Sequence, residues 1–179
     1  SDIGFGGNRM PVSINHVYNT NDSLKNLFGL GNGWRTNFNQ VVGLWSTNNN
    51  YYFWEDGDGT THYFEHESGS TYKDAFIDGH SHSTVPYEEV TDKNGNKSFF
   101  DTQGRLYKIE NNQATKSNIS ITYLSSTSKL ISKITDGVGR VYNFTYTNNL
   151  LNKISYVGKG ATELSYVTFG YSGSNLTSI

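Results

Sequence analysis

The sequence predicts an all-β protein made of antiparallel hairpins stacked into an extended, curved repeat sheet. Three observations carry that expectation. Aromatic residues make up 15% of the chain, with 13 Tyr, 10 Phe and 3 Trp against only 2 Pro, and aromatic and β-branched side chains suit a pleated, half-buried surface. The 19 glycines and the asparagines gather in short clusters between apolar runs, the residue choice of tight turns. Two patterns also recur. A Leu/Ile-x-x-Ile ending stands at Leu106/Ile109, Ile131/Ile134, Leu151/Ile154 and Leu176/Ile179, at intervals of 25, 20 and 25 residues. A triplet of apolar or aromatic residues at i, i+2 and i+4 stands at Ile119-Ile121-Tyr123, Tyr142-Phe144-Tyr146 and Val167-Phe169-Tyr171, at steps of 23 and 25. Repeats of this length are stacked supersecondary units, none of which can bury its apolar face alone.

Taken in order, residues 1–33 are rich in Gly and Asn around one strand, in which Val12, Ile14, His16 and Tyr18 alternate with Ser13, Asn15 and Val17. Asn21-Asp22-Ser23 caps a single helical turn running to Phe28. Gly29-Leu30-Gly31-Asn32-Gly33 reads as a flexible approach to Trp34, after which Trp34, Phe38 and Val42 share one face of an extended segment. Asn48-Asn49-Asn50 is a turn. Tyr51 to Trp54, the Glu55–Gly59 turn and the return through Thr60 to Glu65 form a hairpin. Residues 66–83 read as a polar loop holding one short strand. Val85–Val90 is a further strand, with Pro86 confined to an edge or bulge. Asn94-Gly95 predicts a two-residue hairpin turn with φ > 0 at both positions. Gln103-Gly104, Asp136-Gly137, Asn148-Asn149 and Ser172-Gly173 punctuate the later strands. No helical periodicity is sustained. The organisation expected is one continuous domain, with a less regular leading section over 1–90 and about three repeat units over 91–179.

Each repeat needs a strand, a tight turn and a return strand. Gly104 is expected at φ > 0, where a residue with a side chain costs roughly 1–2 kcal/mol. The Asp101 carboxylate can bond backbone groups two residues on. Arg105 is free to bridge neighbouring units or pair with an acidic residue. Leu106 and Ile109 are an odd number of residues apart and cannot share one face of a flat strand, so a bulge or bend between them is implied. Tyr142, Phe144 and Tyr146 share one face and should stack on the equivalent triplets of adjacent units.

Composition narrows the chemistry. Charged residues are 17% and the net charge is −2, which offers no clustered Lys and Arg for nucleic acid. With no cysteine, disulfides and thiolate metal sites are excluded. No apolar run reaches the roughly 18 residues of a membrane span. Asp56-Gly57-Asp58-Gly59 has the opening of a calcium loop, with Glu67 at its twelfth position. Thr61 stands where that loop needs glycine, and a hairpin turn is the expected reading. His80-Ser81-His82 lies in polar sequence with no carboxylate or Cys to complete a zinc set. Glu88 and Glu89 point to opposite faces of a strand and do not converge on a substrate. The expectation is therefore no enzyme, no metal and no cofactor. Tyr51, Tyr52, Trp54, Tyr63 and Tyr107 are candidates for a glycan platform through ring stacking and hydroxyl hydrogen bonds, set against a sheet-core role for the same rings.

The run Phe99-Phe100-Asp101-x-x-Gly104-Arg105-Leu106-x-x-Ile109 resembles the YD repeat of the Rhs family, with Ser98 where the first aromatic is usual. Asp136-Gly137-Val138-Gly139-Arg140 followed by Phe144 and Tyr146 looks like the linking segment of the same repeat. In the unit after it Thr147 replaces the Asp. Gly29-Leu30-Gly31-Asn32-Gly33-Trp34-Arg35-x-Asn37, Asp56-Gly57-Asp58-Gly59-Thr60-x-His62-Tyr63-Phe64 and Gly7-Asn8-Arg9-Met10-Pro11-Val12 resemble the segments that precede the repeats in Rhs and wall-associated proteins. The resemblance implies a section of a YD-repeat spiral or shell, similar to toxin-complex shells and teneurin repeats. It implies a secreted or cell-wall-associated protein whose partner is a C-terminal toxin or effector of the same polypeptide. This chain would then be a fragment of that longer protein, with cell-wall or host-surface glycan as the alternative partner. The family's self-cleaving residues lie downstream of the repeats, and none is carried over.

Overall fold

The computed structural model describes residues 3–4, 10–44, 51–74, 81–83, 88–158 and 161–179. The Asn48–Asn50 turn, Pro86, Gly7–Arg9 and His80 lie outside these. The all-β expectation holds: among the described residues every regular element is an antiparallel strand except one short 3₁₀ turn, and no helix is long and apolar enough to cross a membrane. The chain divides into two compact units, residues 40–118 and residues 1–39 together with 119–179, a division that does not follow the boundary at 90/91 suggested by the motifs.

In the first 39 residues, β1 (Ile3–Gly4) pairs with β2 (Ser13–Ile14), and β3 (His16–Tyr18) pairs with β4 (Trp34–Thr36). The helical turn is shorter and earlier than the sequence suggests. It is a 3₁₀ turn over Thr20–Asp22, capped by Asn19, whose side chain accepts from the Asn21 amide at 3.0 Å. The extended segment expected from Trp34 to Val42 is broken at Thr36–Asn39. There the Asn39 amide donates to the Thr36 carbonyl (3.0 Å) and the Asn39 side chain accepts from both the amide and the hydroxyl of Thr36. Arg35 is 1% exposed. Its guanidinium donates to Asp22 at 3.2 Å and to the Asn39 carbonyl at 3.4 Å, and lies 4.6 Å over the Phe28 ring.

In residues 40–118 the strands follow one another as neighbours: β5 (Val41–Leu44), β6 (Tyr51–Glu55), β7 (Thr61–Ser68), β8 (Thr71–Asp74), β9 (Ser81–Ser83), β10 (Glu88–Thr91), β11 (Lys97–Phe100) and β12 (Leu106–Glu110). The stretch read as a polar loop is therefore mostly strand. Its alternating Glu, His and Ser side chains hid a ladder whose partner residues are equally polar. The other edge of β5 meets the start of β12. Val42 N–H donates to Gly104 O (3.0 Å), Leu106 N–H to Gln40 O (3.4 Å), and Val41 bridges Arg105. Val42, Phe64, Val90, Phe99, Phe100 and Leu106 form the buried apolar set here.

The unit that contains residues 1–39 and 119–179 also holds β13 (Asn118–Tyr123, from Ile119 on), β14 (Ile131–Thr135), β15 (Val141–Thr147), β16 (Leu150–Val157) and β17 (Glu163–Thr168) in sequential order, then the hairpin β18 (Gly170–Ser172) with β19 (Asn175–Ser178). The bulge implied by the odd Leu/Ile-x-x-Ile spacing is present in all four copies, always at the second residue. Phe99 opposes Lys108 and Phe100 opposes Leu106, which leaves Tyr107 extra. Ser132, Asn152 and Thr177 are extra in the same way. One added residue reverses the alternation, so Ile131 with Ile134, and Leu151 with Ile154, reach the core together at 0–1% exposure. The triplets do not stack directly on one another as expected. Tyr142 stands opposite Ile134 on one side and Tyr156 on the other, and Phe144 opposite Ile154. Each triplet therefore meets the next through an intervening Leu/Ile-x-x-Ile strand. Tyr146 and Tyr171 repeat one contact, donating their hydroxyls to the carbonyls of Ile131 (2.8 Å) and Leu151 (2.7 Å). Burial pushes both phenols up from their ordinary pKa.

The Gly29–Gly33 segment is a packed strap rather than a flexible approach. Gly29 O accepts from Leu151 N–H at 2.6 Å, and Asn32 N–H donates to Ser174 O at 2.7 Å. Between them Leu30 is 1% exposed. At Gly31, with φ +87°, a Cβ would sit 2.7 Å from the Ser174 carbonyl oxygen, so glycine is what lets this backbone pass so close to the β18–β19 turn.

Candidate functional site

The motif residues come together in one local structure that occurs four times among the described residues. Asp56-Gly57-Asp58-Gly59-Thr60, Asp92-Lys93-Asn94-Gly95-Asn96, Asp101-Thr102-Gln103-Gly104-Arg105 and Asp136-Gly137-Val138-Gly139-Arg140 all close alike. In each, the fourth residue's amide donates to the Asp carbonyl at 3.1, 3.0, 2.9 and 3.0 Å, and the Asp amide donates to the fifth residue's carbonyl. One carboxylate oxygen accepts the amides two and four residues on, at 2.8–3.0 Å. The fourth residue is a glycine with φ of 86, 81, 75 or 88°. This is a type I turn followed by a left-handed residue and a bulge, a common three-residue hairpin loop. It corrects the two-residue turn read at Asn94-Gly95, where Gly95 but not Asn94 has positive φ and Thr91 opposes Lys97. At Asp136-Gly137 it moves the left-handed position to Gly139, while Gly137 N–H donates to Met10 O at 3.3 Å. The legible signal was an Asp three residues before each Gly, which dipeptide reading passes over.

The second carboxylate oxygen is clasped from the fifth position: by Arg105 Nε at 2.8 Å, by Arg140 Nε, and by Asn96 Nδ2 at 3.1 Å. Of the two roles left open for Arg105, the pairing one is seen, within its own turn. Burial works against the Arg140 charge, and the bond to Asp136 more than offsets it, so its pKa is raised. The Asp136 side chain is 0% exposed and that of Asp101 is 24%. Asp136→Ala is therefore expected to cost about 2–3 kcal/mol, because it strands buried amides and a guanidinium. Asp101→Ala should cost about 1 kcal/mol, its half-buried pair being partly screened by water. Urea midpoints of the two variants, compared with the parent, check the order.

The five aromatic candidates are not brought together. Neighbours along a strand face opposite ways, so Tyr52 and Trp54 lie on one face of β6 and Tyr51 on the other. Tyr52 packs edge-on against Tyr72 (4.9 Å) and Trp54 stacks on His62 (4.7 Å) while donating to Gln40 Oε1 at 3.1 Å. Tyr51 and Tyr63 share the opposite face with Phe53, which the candidate set lacked. Phe53 stands between Gly43 and Tyr63 in the ladder, and its ring lies over Gly43, 2.8 Å from where a Cβ would be. Tyr51 donates to Glu65 at 3.3 Å. Tyr107 is the bulge residue of β12, near Phe99 at 6.4 Å.

The Asp56 turn differs from its three counterparts. Its second oxygen is taken by His62 Nε2 at 2.7 Å, and His62 Nδ1 lies 3.2 Å from Asp74 Oδ2. Both ring nitrogens are engaged, which leaves neither for a metal or a substrate. Asp56 accepts backbone amides as a hairpin turn does, and Glu67 is an exposed strand residue, so the hairpin reading stands over the calcium loop. Among the described residues no group of three or more His, Cys, Asp or Glu is placed to hold a metal ion. Sequence reasoning did not find His62 and Asp74 as a pair, since only the β7–β8 register brings them together. No protein-family model matches the chain, and no curated protein matches it.

Proposed function

We propose that this chain is a non-enzymatic scaffold section of a secreted or cell-wall-associated Rhs/YD-repeat protein, whose stacked hairpins enclose or display an effector segment of the same polypeptide. The observation that supports this reading is the fourfold recurrence of one turn together with the fourfold recurrence of one bulge. The Asp, Gly and Arg residues of the motif close their own turns, and a device repeated at four hairpins serves to propagate a sheet. The test is limited proteolysis of the polypeptide that carries this array and the effector together. Under the scaffold reading, the effector is cut much more slowly beside the intact array than beside one disrupted by Gly104→Val. Equal cleavage in both would overturn enclosure.

A second reading, a carbohydrate-binding module, is favoured by one observation: Tyr51, Phe53 and Tyr63 lie on one sheet face beside Glu65. Intrinsic fluorescence titrated with cell-wall fragments and soluble polysaccharides separates the two. Saturable binding that is lost in a folded Tyr63→Ala variant would replace the scaffold reading. Trp54→Ala is the wrong probe, because Trp54 packs on His62 and its removal disturbs the fold.

A further inference from the structure

We propose that Asp56, His62 and Asp74 form a proton-loaded latch that fastens the β7–β8 hairpin to the β6–β7 turn in mild acid and loosens as the pH rises. The cluster lies within residues 40–118 and is independent of the scaffold reading. His62 sits on the buried face of β7, opposite Trp54 of β6, which in turn stands opposite Val42 of β5. The Trp54 ring stacks on the imidazole at an interplanar angle of 27°. The charged groups that face His62 include Asp56 and Asp58 from the turn and Asp74 from β8. The Asp74 side chain is 1% exposed and that of His62 is 7%.

The proton count follows from these contacts. A carboxylate oxygen only accepts, and an unprotonated imidazole nitrogen only accepts. Each N···O contact, at 2.7 and 3.2 Å, therefore needs one proton of its own. A neutral imidazole between two ionised aspartates has one proton for two contacts. The geometry calls for two, held either as imidazolium or as imidazole with one carboxylic acid. When the second proton leaves for solvent, one nitrogen lone pair faces a carboxylate oxygen in a largely buried site, and a bond between elements is lost.

Of the carboxylates, Asp56 points in this direction. Burial raises Asp56 above its ordinary value and its contact with Asp58 raises it further, which together outweigh the lowering by its bond to His62, while Asp58 is lowered to about 2 by its bonds to Asp56 and Thr60. A raised carboxyl stabilises the fold at pH values below its unfolded pKa of about 3.9, and that contribution fades as the pH climbs through the raised value. The Asp58 contribution has the opposite sign and is lost only as the pH falls from about 4 toward 2, so it does not mask a loss on the alkaline side.

The experiment is amide hydrogen exchange on the whole chain at about pH 5 and about pH 8, with rates corrected for intrinsic base catalysis. Protection of the β7–β8 ladder amides should fall about tenfold between the two, the equivalent of one buried hydrogen bond, while the β15–β16 ladder stays unchanged. In Asp74→Asn the side-chain amide can donate to a bare Nδ1, so the fall should disappear. Asp56→Asn tests the other side of the ring if Asp74→Asn does not fold. Equal protection at both pH values in the parent, or an undiminished fall in the Asn variant, overturns the latch.

Discussion

Gly104→Val is expected to be the most damaging single substitution in the repeat motif. Two costs act at this residue. Its φ is +75°, a region that costs a side-chain-bearing residue about 1–2 kcal/mol and a β-branched one more. A Cβ would also stand 2.2 Å from the Val42 carbonyl oxygen. That neighbour is backbone and cannot rotate away, so the turn must draw back from β5. The bonds from Val42 N–H to Gly104 O and from Leu106 N–H to Gln40 O go with it. The combined loss should be about 4 kcal/mol or more, a fall in Tm on the order of 10 °C. Gly139→Ala isolates the first cost. Its φ is +88° but nothing lies within 4 Å of the added carbon, so about 1 kcal/mol is expected. Thr102→Val, at an exposed position of the Asp101 turn, should stay within about 0.5 kcal/mol. Thermal melts of the three variants check the order. Equal effects from Gly104→Val and Thr102→Val would contradict the turn geometry, and equal effects from Gly104→Val and Gly139→Ala would contradict the β5 contact.

Arg35→Ala is the second large effect. The side chain is almost wholly buried, with Asp22, the Asn39 carbonyl and the Phe28 ring around it. Truncation leaves a void, a carbonyl without one of its donors, and a carboxylate without its cation. Breaking a buried pair from one side costs about 3–5 kcal/mol. Asp22 is 19% exposed and partly reached by water, which places the expected value at the lower end. Arg35→Met keeps most of the apolar volume and should recover part of the loss. Combining Arg35→Met with Asp22→Asn removes the stranded charge and should recover more. A double-mutant cycle by denaturant unfolding measures this, and strict additivity of the two substitutions would show that the ion pair carries no coupling.

The residues that were legible in the sequence share one property: their partners are close along the chain. Asp101 reaches amides two and four residues on, and Arg105 returns to the same carboxylate. The bulge at Tyr107, Ser132, Asn152 and Thr177 could be deduced from spacing alone, because parity allows no flat strand to turn both residues of a Leu/Ile-x-x-Ile pair to one face. The candidate aromatic platform was less legible. Tyr51, Tyr52, Trp54 and Tyr63 are near in sequence, but alternation along β6 splits them between faces. Phe53 completes one face only because Gly43 and Tyr63 flank it in the ladder.

What the sequence by itself determined is the all-β class, the places of the four turns though not the type of each, and the bulge, since these follow from local stereochemistry: the reach of an aspartate oxygen, the φ freedom of glycine and the period of two along a strand. The tertiary structure decided which strands meet and in which register. The approach of Val42 O to Gly104, the strap from Gly29 to Asn32 against the later hairpins, the burial of Arg35 and the pairing of His62 with Asp74 all join residues distant in the chain or aligned only by the ladder. Their geometry depends on the summed packing of many side chains, and no local pattern of residue types encodes that sum.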